Sequence, residues 1–329
     1  MPPPRYSKPG GSYLWKYDKN RAKGSKLTGG NISYRLNYPY IRQINPFAMK
    51  LTKNIFLLLC VVAFGFTTAG KKDHWQPLFN GKNLSGWDTY IGPDLDEKGK
   101  PITGTPLGLN NDPRHVFTVV KDGNEKVIRI SGENWGAITT KGEYENYHLQ
   151  LQFKWGELTW GQKKGKKKDS GLLYHSVGNY GADYGAWMRS QEFQVEEGNT
   201  GDYWGCAGGM ADIPAIKRSE TDYVYSPQGA MLTFSQESKQ GRHCIKQGES
   251  AESPTGQWNT LDLYCHGDTS IHVVNGKVAM VLYRNRQMDN GRELPLTKGR
   301  IQIQSEGAEV YYRQIKIQPI NALPAGLMK

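Results

Sequence analysis

Residues 147–155 read YHLQLQFKW. His148, Gln150, Gln152 and Lys154 alternate with Leu149, Leu151, Phe153 and Trp155. A period of two places the two sets on opposite faces of an extended strand, whereas a helix would scatter the apolar four around its circumference. The stretch therefore predicts a strand with one face in a core. Similar runs follow on both sides. HVFTVV (115–120) and KVIRIS (126–131) flank Lys121-Asp122-Gly123-Asn124, a hairpin signature. GLLYHSV (171–177), EFQVE (192–196), WNTLDLYCHG (258–267), RIQIQSEG (300–307) and EVYYRQIKIQPI (309–320) are further strand candidates. IHVVNGKVAMVLY (271–283) holds Asn275-Gly276 between two apolar runs, the strongest short hairpin signal. Helical periodicity is scarce, and GGMADIPAIKRS (208–219) reads as a loop or one short helix. Many alternating strands joined by Gly-rich connections predict an all-β sandwich or barrel, built as a single domain from residue 71 to 329.

The formal charge of +11 suggests a nucleic-acid or membrane partner until its location is considered. Residues 1–69 hold eleven Lys and Arg against one acid, Asp18, and are +10 by themselves, so the remaining chain is nearly neutral. The nucleic-acid reading thereby loses its support. Met49 opens MKLTKNIFLLLCVVAFGFTTAGKK, in which Lys50 and Lys53 precede the apolar run Ile55–Phe66 and the small residues Thr67–Gly70. That order is the one expected of a secretory signal peptide at 49–70, and the run is too short for a stable membrane span. Secretion or a periplasmic location is the expectation. A lipoprotein anchored at Cys60 is disfavoured because Leu59 before it is not small. Residues 1–48 read as an extension upstream of the true start or as a disordered basic tail. The lysine run KKGKKKD (163–169) reads as a solvated loop between two strands. Cys206, Cys244 and Cys265 remain in the exported part. An odd count permits one disulfide at most, and the sequence does not choose the pair.

SQEFQVEEGNTGDYWG (190–205) carries the chemistry. In a strand, Glu192, Gln194 and Glu196 share one face, and Phe193 and Val195 take the other. The Cα atoms of Glu192 and Glu196 then stand roughly 13 Å apart at ~3.3 Å per residue, and a bulge would present Glu197 instead. The bland reading of this face is a solvated sheet exterior. Trp187, Tyr203 and Trp204 flank the strand and point instead to a sugar site, since exposed aromatic rings stack on sugar faces; their own bland reading is core packing. Asp202 reads as a turn residue or a further acid in the cleft. His148, His243, His266 and His272 read as structural or exposed. No metal-ligand spacing occurs, and a divalent metal held by acids is left open.

Six pieces in order resemble one family. WQPLFNGKNLSGWD (75–88), GAITTKGEYENYHLQLQFKW (136–155), DSGLLYHSVG (169–178), QEFQVEEGNTGDYWG (191–205), GQWNTLDLYCHGDTSIHVVNGKV (256–278) and GRIQIQSEGAEVYYRQIKI (299–317) resemble successive signatures of the 3-keto-disaccharide hydrolase domain family. The resemblance covers about Trp75 to Pro319. It implies a concanavalin A-like jelly roll of two packed sheets and secreted proteins that cleave 3-keto-glycosides. Asp169 stands where that family often has Asn, His175 where it often has Arg, and Glu306 where many members have His. The pattern E-x-Q-x-E-E is also similar to the E-x-D-x-x-E strand of laminarinase-type β-glucanases, with Gln194 in place of the central Asp.

A ketone at C3 acidifies the C2 proton, so a base removes it, the C1 substituent leaves, and water adds. The route needs a base, a group that polarises the ketone, and an acid for the leaving oxygen. The resemblance makes Glu192 the base or acid, Glu196 or Glu197 its partner, and His175 the donor to the ketone or a metal ligand. Gln194 would bind a sugar hydroxyl or orient Glu192. The expected partner is a carbohydrate substrate. The alternatives are a non-catalytic carbohydrate-binding module on the same fold, or a conventional β-glucanase.

Overall fold

The computed structural model describes residues 75–328, except 99 and 103. The expected extension (1–48) and leader (49–70), with Cys60, lie outside the described residues. Twenty strands are present among the described residues. In chain order the first ten are β1 (Gln76–Pro77), β2 (Trp87–Ile91), β3 (Gly108–Leu109), β4 (Phe117–Asp122), β5 (Glu125–Ile130), β6 (Gly136–Thr140), β7 (Tyr147–Thr159), β8 (Asp169–Val177), β9 (Arg189–Glu196) and β10 (Tyr203–Cys206). The rest are β11 (Gly209–Lys217), β12 (Tyr223–Tyr225), β13 (Ala230–Phe234), β14 (His243–Cys244), β15 (Asn259–His266), β16 (Thr269–Val274), β17 (Lys277–Asp289), β18 (Arg292–Pro295), β19 (Arg300–Ser305) and β20 (Ala308–Pro319). Among the described residues, helix is confined to two single 3₁₀ turns, Gly161–Lys163 and Ala325–Leu327. No described helix is long and apolar enough to cross a membrane.

The strands form two antiparallel sheets, the sandwich expected of the sequence. The larger runs β12-β11-β17-β16-β15-β7-β20-β5-β4, with β1, β13 and β18 added at its margins. The smaller runs β14-β10-β9-β8-β19-β6-β2-β3. β7 behaves as its alternation demands: Leu149, Leu151, Phe153 and Trp155 are buried, and Gln150, Gln152 and Lys154 are partly exposed. They pack against Leu172 and Tyr174 of β8, Phe193 and Val195 of β9, and Ile301 and Ile303 of β19. Each such side chain removed from water contributes about 1.5–3 kcal/mol, which makes this layer the main hydrophobic anchor of the sandwich. His148 departs from the outward pattern. It is buried because its ring stacks on Tyr264 at 3.9 Å and its Nε2 hydrogen-bonds Asp262 at 2.7 Å.

The two hairpins read from sequence are present. β4 and β5 pair through Gly123-Asn124. β16 and β17 turn at Asn275 (φ 48°) and Gly276 (φ 78°), the double left-handed pair that a two-residue hairpin favours. The expectation for residues 208–219 is corrected: Gly209–Lys217 is β11, an interior strand with seven buried residues. Strands buried on both faces lose the alternating signature, so a Met-Ala-Ile run here resembled neither strand nor helix. The one disulfide that the odd count permits is not formed among the described residues. Cys206, Cys244 and Cys265 are all free and buried.

Candidate active site

The inner face of the smaller sheet is apolar, and its other face is a floor of acids and amides. Antiparallel register sets the neighbours: Asp169 faces Glu196, Gly171 faces Gln194, and Leu173 faces Glu192 across β8 and β9. On the far side of β9, Trp204 of β10 faces Glu192 and Cys206 faces Ser190. Gln304 reaches the same floor from β19, and Glu306 follows just after that strand. These groups line a cleft of about 730 Å³, within the size range of small-ligand sites. One wall is aromatic. Trp135 stacks on Trp187 at 5.2 Å, and Tyr184 stands edge-on to both. Trp187 is fixed by its indole N–H, which donates to the Gly136 carbonyl at 2.9 Å. Arg242 sits between the rings of Tyr184 and Trp204, 5.1 and 5.5 Å away, and its guanidinium pairs with Asp183 at 2.8 Å.

Roofing by this wall explains why the floor is not the solvated exterior that the bland reading supposes. Glu192 is only 5% exposed and Gln194 only 7%. Burial disfavours the carboxylate and pushes Glu192 up to about 8. The Cys206 thiol, which donates to Glu192 Oε2 at 3.2 Å, pulls it down, while Asp169 and Asp183 push it up and Arg242 opposes them. Burial also pushes the Cys206 thiol well up, so it stays protonated and is a donor only. Asp169 is raised to about 7 by burial, against the opposing pull of Lys163. Lys163 pairs with Asp169 and, at 3.1 Å, with Glu196. Burial alone would lower Lys163, but Asp169, Glu196 and Glu306 outweigh it and hold it charged, near 12. Burial, with Asp169 and Glu192 nearby, drives Glu306 well above the usual carboxylate range. Asp169 Oδ1 and Gln304 Oε1 are buried with no hydrogen-bond partner. Gly171 leaves the floor bare between them: a Cβ there would collide with both Gln304 Oε1 and Glu192 Oε1.

Of the residues expected at the site, Glu192, Gln194, Glu196, Trp187 and Trp204 line the cleft together. Four expected members do not. Tyr203 precedes Trp204, so the same period of two turns it inward, where it is fully buried and donates to Gln191 Oε1 at 2.6 Å. Asp202 accepts from the Lys246 backbone N–H at 2.9 Å and hydrogen-bonds His243 at 3.0 Å. It supports the cleft only indirectly, since the His243 ring stacks on Trp204 at 4.3 Å. Glu197 is half-exposed outside the lining, where it accepts from Thr255 and lies beside Lys168. His175 is the clearest correction. Simple alternation from Asp169 through Gly171 and Leu173 would bring it to the floor. The β8 ladder slips between Tyr174 and Val177, and His175 takes a left-handed φ of 53°. That bulge turns the ring into the core against Tyr147 and Tyr174, with Nδ1 on the Leu296 carbonyl at 2.9 Å. Burial lowers His175 to about 4, so it is a neutral imidazole there.

Sequence reasoning missed the cation. Lys163 lies in the run taken for a solvated loop, yet it is folded into the floor, and Lys166 and Lys167 line the rim. Asp169 and Glu306 were visible only as departures from the resembled pattern. Arg242 and Asp183 carry no local signal. Among the described residues, no cluster of three or more His, Cys, Asp or Glu is placed to hold a metal ion.

Comparison with known proteins adds the following. A comparison with curated proteins found no match. Among solved structures, the chain is similar to a protein assigned to the glycosyl hydrolases from Parabacteroides distasonis ATCC 8503, at 19% identity over 75% of this chain and 94% of that one, TM-score 0.42. It is also similar to the carbohydrate-binding module CBM66 of Bacillus subtilis, at 8% identity over 61% of this chain and 91% of that one, TM-score 0.36. A Bacillus subtilis protein of galectin-like fold is similar at 10% identity over 74% of this chain and 94% of that one, TM-score 0.38. The family model described as 3-keto-alpha-glucoside-1,2-lyase-like matches residues 74–318, most of the chain, and the protein therefore belongs to that family.

Proposed function

We propose that this carbohydrate-active β-sandwich cleaves 3-keto-glycosides by acid–base chemistry, with Glu192 as the acid and Asp169 as the base. One observation carries the reading: a carboxyl group held protonated and a Lys–carboxylate pair share one buried sheet face beneath a sugar-sized aromatic wall. A proton on Glu192 at neutral pH suits it to protonate the leaving oxygen at C1. Asp169, ionised beside Lys163, takes the C2 proton. The charge then moves from Asp169 to the ketone oxygen as an enolate forms, and Lys163, freed of a partner that has just become neutral, stabilises it. Preorganised charge aimed at a developing oxyanion is usually the largest single contribution to such a barrier. Glu196 holds Lys163 from the other side, and Trp187 and Trp204 supply ring faces for the sugar. Gln304 Oε1 is an unfilled acceptor for a sugar hydroxyl. The leader expected at Met49 makes export part of the proposal.

The test is to incubate the purified protein with a 3-keto-glucoside and with its unoxidised parent, following aglycone release by mass spectrometry. Release from the keto sugar alone, lost in Glu192→Gln, is the expected result. Equal release from both sugars would make the protein a conventional glycosidase. Binding of both without release would make it a binding module.

A further inference from the structure

A smaller pocket of about 200 Å³ opens beside the main cleft. Trp135 and Gln162 line both chambers. Trp135 meets Trp187 on the main-cleft side, and Trp160 stands in the second pocket alone. The volume corresponds to about seven waters at ~30 Å³ each, the scale of one pyranose ring.

This pocket is built rather than left over. Its floor is backbone: Gly132, Gly161 and Gly307 all line it. A Cβ on Gly161 would meet only the Asp96 carbonyl oxygen, at 3.7 Å, so it would project into open space. The three segments are tied together, because the Trp160 N–H donates to the Gly307 carbonyl at 2.8 Å and the Gly307 N–H to the Gly132 carbonyl at 3.0 Å. The Trp160 indole is held by the Ser131 carbonyl at 2.9 Å. At the mouth, Arg114 is fixed by Asp94 at 3.0 Å and by Asn134 at 2.9 Å, and Glu133 is exposed beside it. Fixed aromatic walls, a bare floor and a few polar groups at the rim are the makings of a sugar site. The pocket also abuts the proposed catalytic floor, since Gly307 directly follows Glu306 and a Cβ on Gly307 would meet the stem of Lys163 at 3.0 Å.

We propose that this pocket is a further sugar subsite and that the substrate is an oligosaccharide of three or more units spanning both chambers. The main cleft is more than three times the size of the side pocket, so it accommodates the reacting ring and a neighbour while the next ring seats between Trp135 and Trp160. The oxidised ring is taken from the proposed function; the length of the ligand is not.

Calorimetric titration of the purified protein with α- and β-linked glucose oligomers of one to five units separates the two ideas. In at least one series, Kd falls tenfold or more from the disaccharide to the trisaccharide. Trp160→Ala removes that gain and leaves the disaccharide Kd unchanged. Glu133→Ala, at an exposed position, halves the gain or more. Affinity that stops rising at the disaccharide in every series overturns the subsite, as does a Trp160→Ala variant of native melting temperature that keeps the full gain. Length-dependent binding without cleavage of any keto sugar leaves the subsite standing and removes the proposed reaction. Cleavage without length dependence does the reverse.

Discussion

Glu192 shows what a single residue contributes and costs. Its folded value of about 8 lies above its ordinary 4.5, so the folded state holds the proton more tightly than the unfolded one. Its contribution to stability is therefore present below about pH 4.5 and is lost as pH rises towards 8. Glu192→Gln, which carries no charge to bury, is expected to be more stable than the native protein at pH 9, by roughly 2 kcal/mol or more, measured by denaturant unfolding. The same variant loses about 10²–10⁴ in kcat, the usual worth of a general acid. Stability gained by removing a functional group would mark the site as strained for use. The proposed reaction needs Asp169 ionised and Glu192 protonated, so the rate–pH profile should rise through about 7 and fall through about 8, with both limbs belonging to the coupled group. Lys163→Met leaves Asp169 unpaired. Its melting temperature should drop more at pH 8 than at pH 5, where Asp169 takes up a proton instead. The period of two made Glu192, Gln194 and Glu196 legible as one face. It also forbade Tyr203 from sharing a face with Trp204, a consequence overlooked because the aromatic pair was read as a unit. His175 was beyond reach, because the bulge that turns it inward leaves no mark on a run as regular as GLLYHSV.

At the scale of the strand, the floor depends on what β8 omits. Gly171→Ala would push the far ends of Glu192 and Gln304 aside, side-chain tips rather than backbone. Expected is a near-native melting temperature with activity reduced at least tenfold. Gly299→Ala makes the opposite case. There the new methyl group meets the backbone of His175 at 2.4–2.8 Å, and backbone does not yield as a side-chain tip does. This variant should lose several degrees or more of thermal stability, measured by calorimetry. Strands with one wet face announced themselves: β7 and β15 alternate residue by residue. β11 did not, because burial on both faces erases the contrast that alternation depends on. The run at 163–169 was misjudged for a related reason. Five lysines look solvated by composition, and only the closed sheet shows that the first of them is enclosed by three carboxyl groups.

For the whole molecule, the layered all-β architecture followed from periodicity and turn chemistry alone, since each strand needs a partner face and few helices compete. The cleft did not follow, because its walls come from segments near residues 135, 163, 184, 204 and 242 that only folding brings together. The three cysteines among the described residues are free, and burial raises all of their thiols. Adding a reductant should leave the melting temperature unchanged, and labelling by a thiol reagent should wait for unfolding. If the segment from Met49 is used as a leader, amino-terminal sequencing of the exported protein should begin near Gly70 or Lys71. One arrangement bears on how such a fold changes its trade over generations. Lys163 lies within the connection between β7 and β8, and Asp169, six positions on, opens β8. Adding or deleting residues in that link re-aims the cation while every strand, and the layer beneath, stays in register. Descendants of this sequence can therefore diverge in reaction by altering the length of one surface connection, with no toll on the scaffold that carries it.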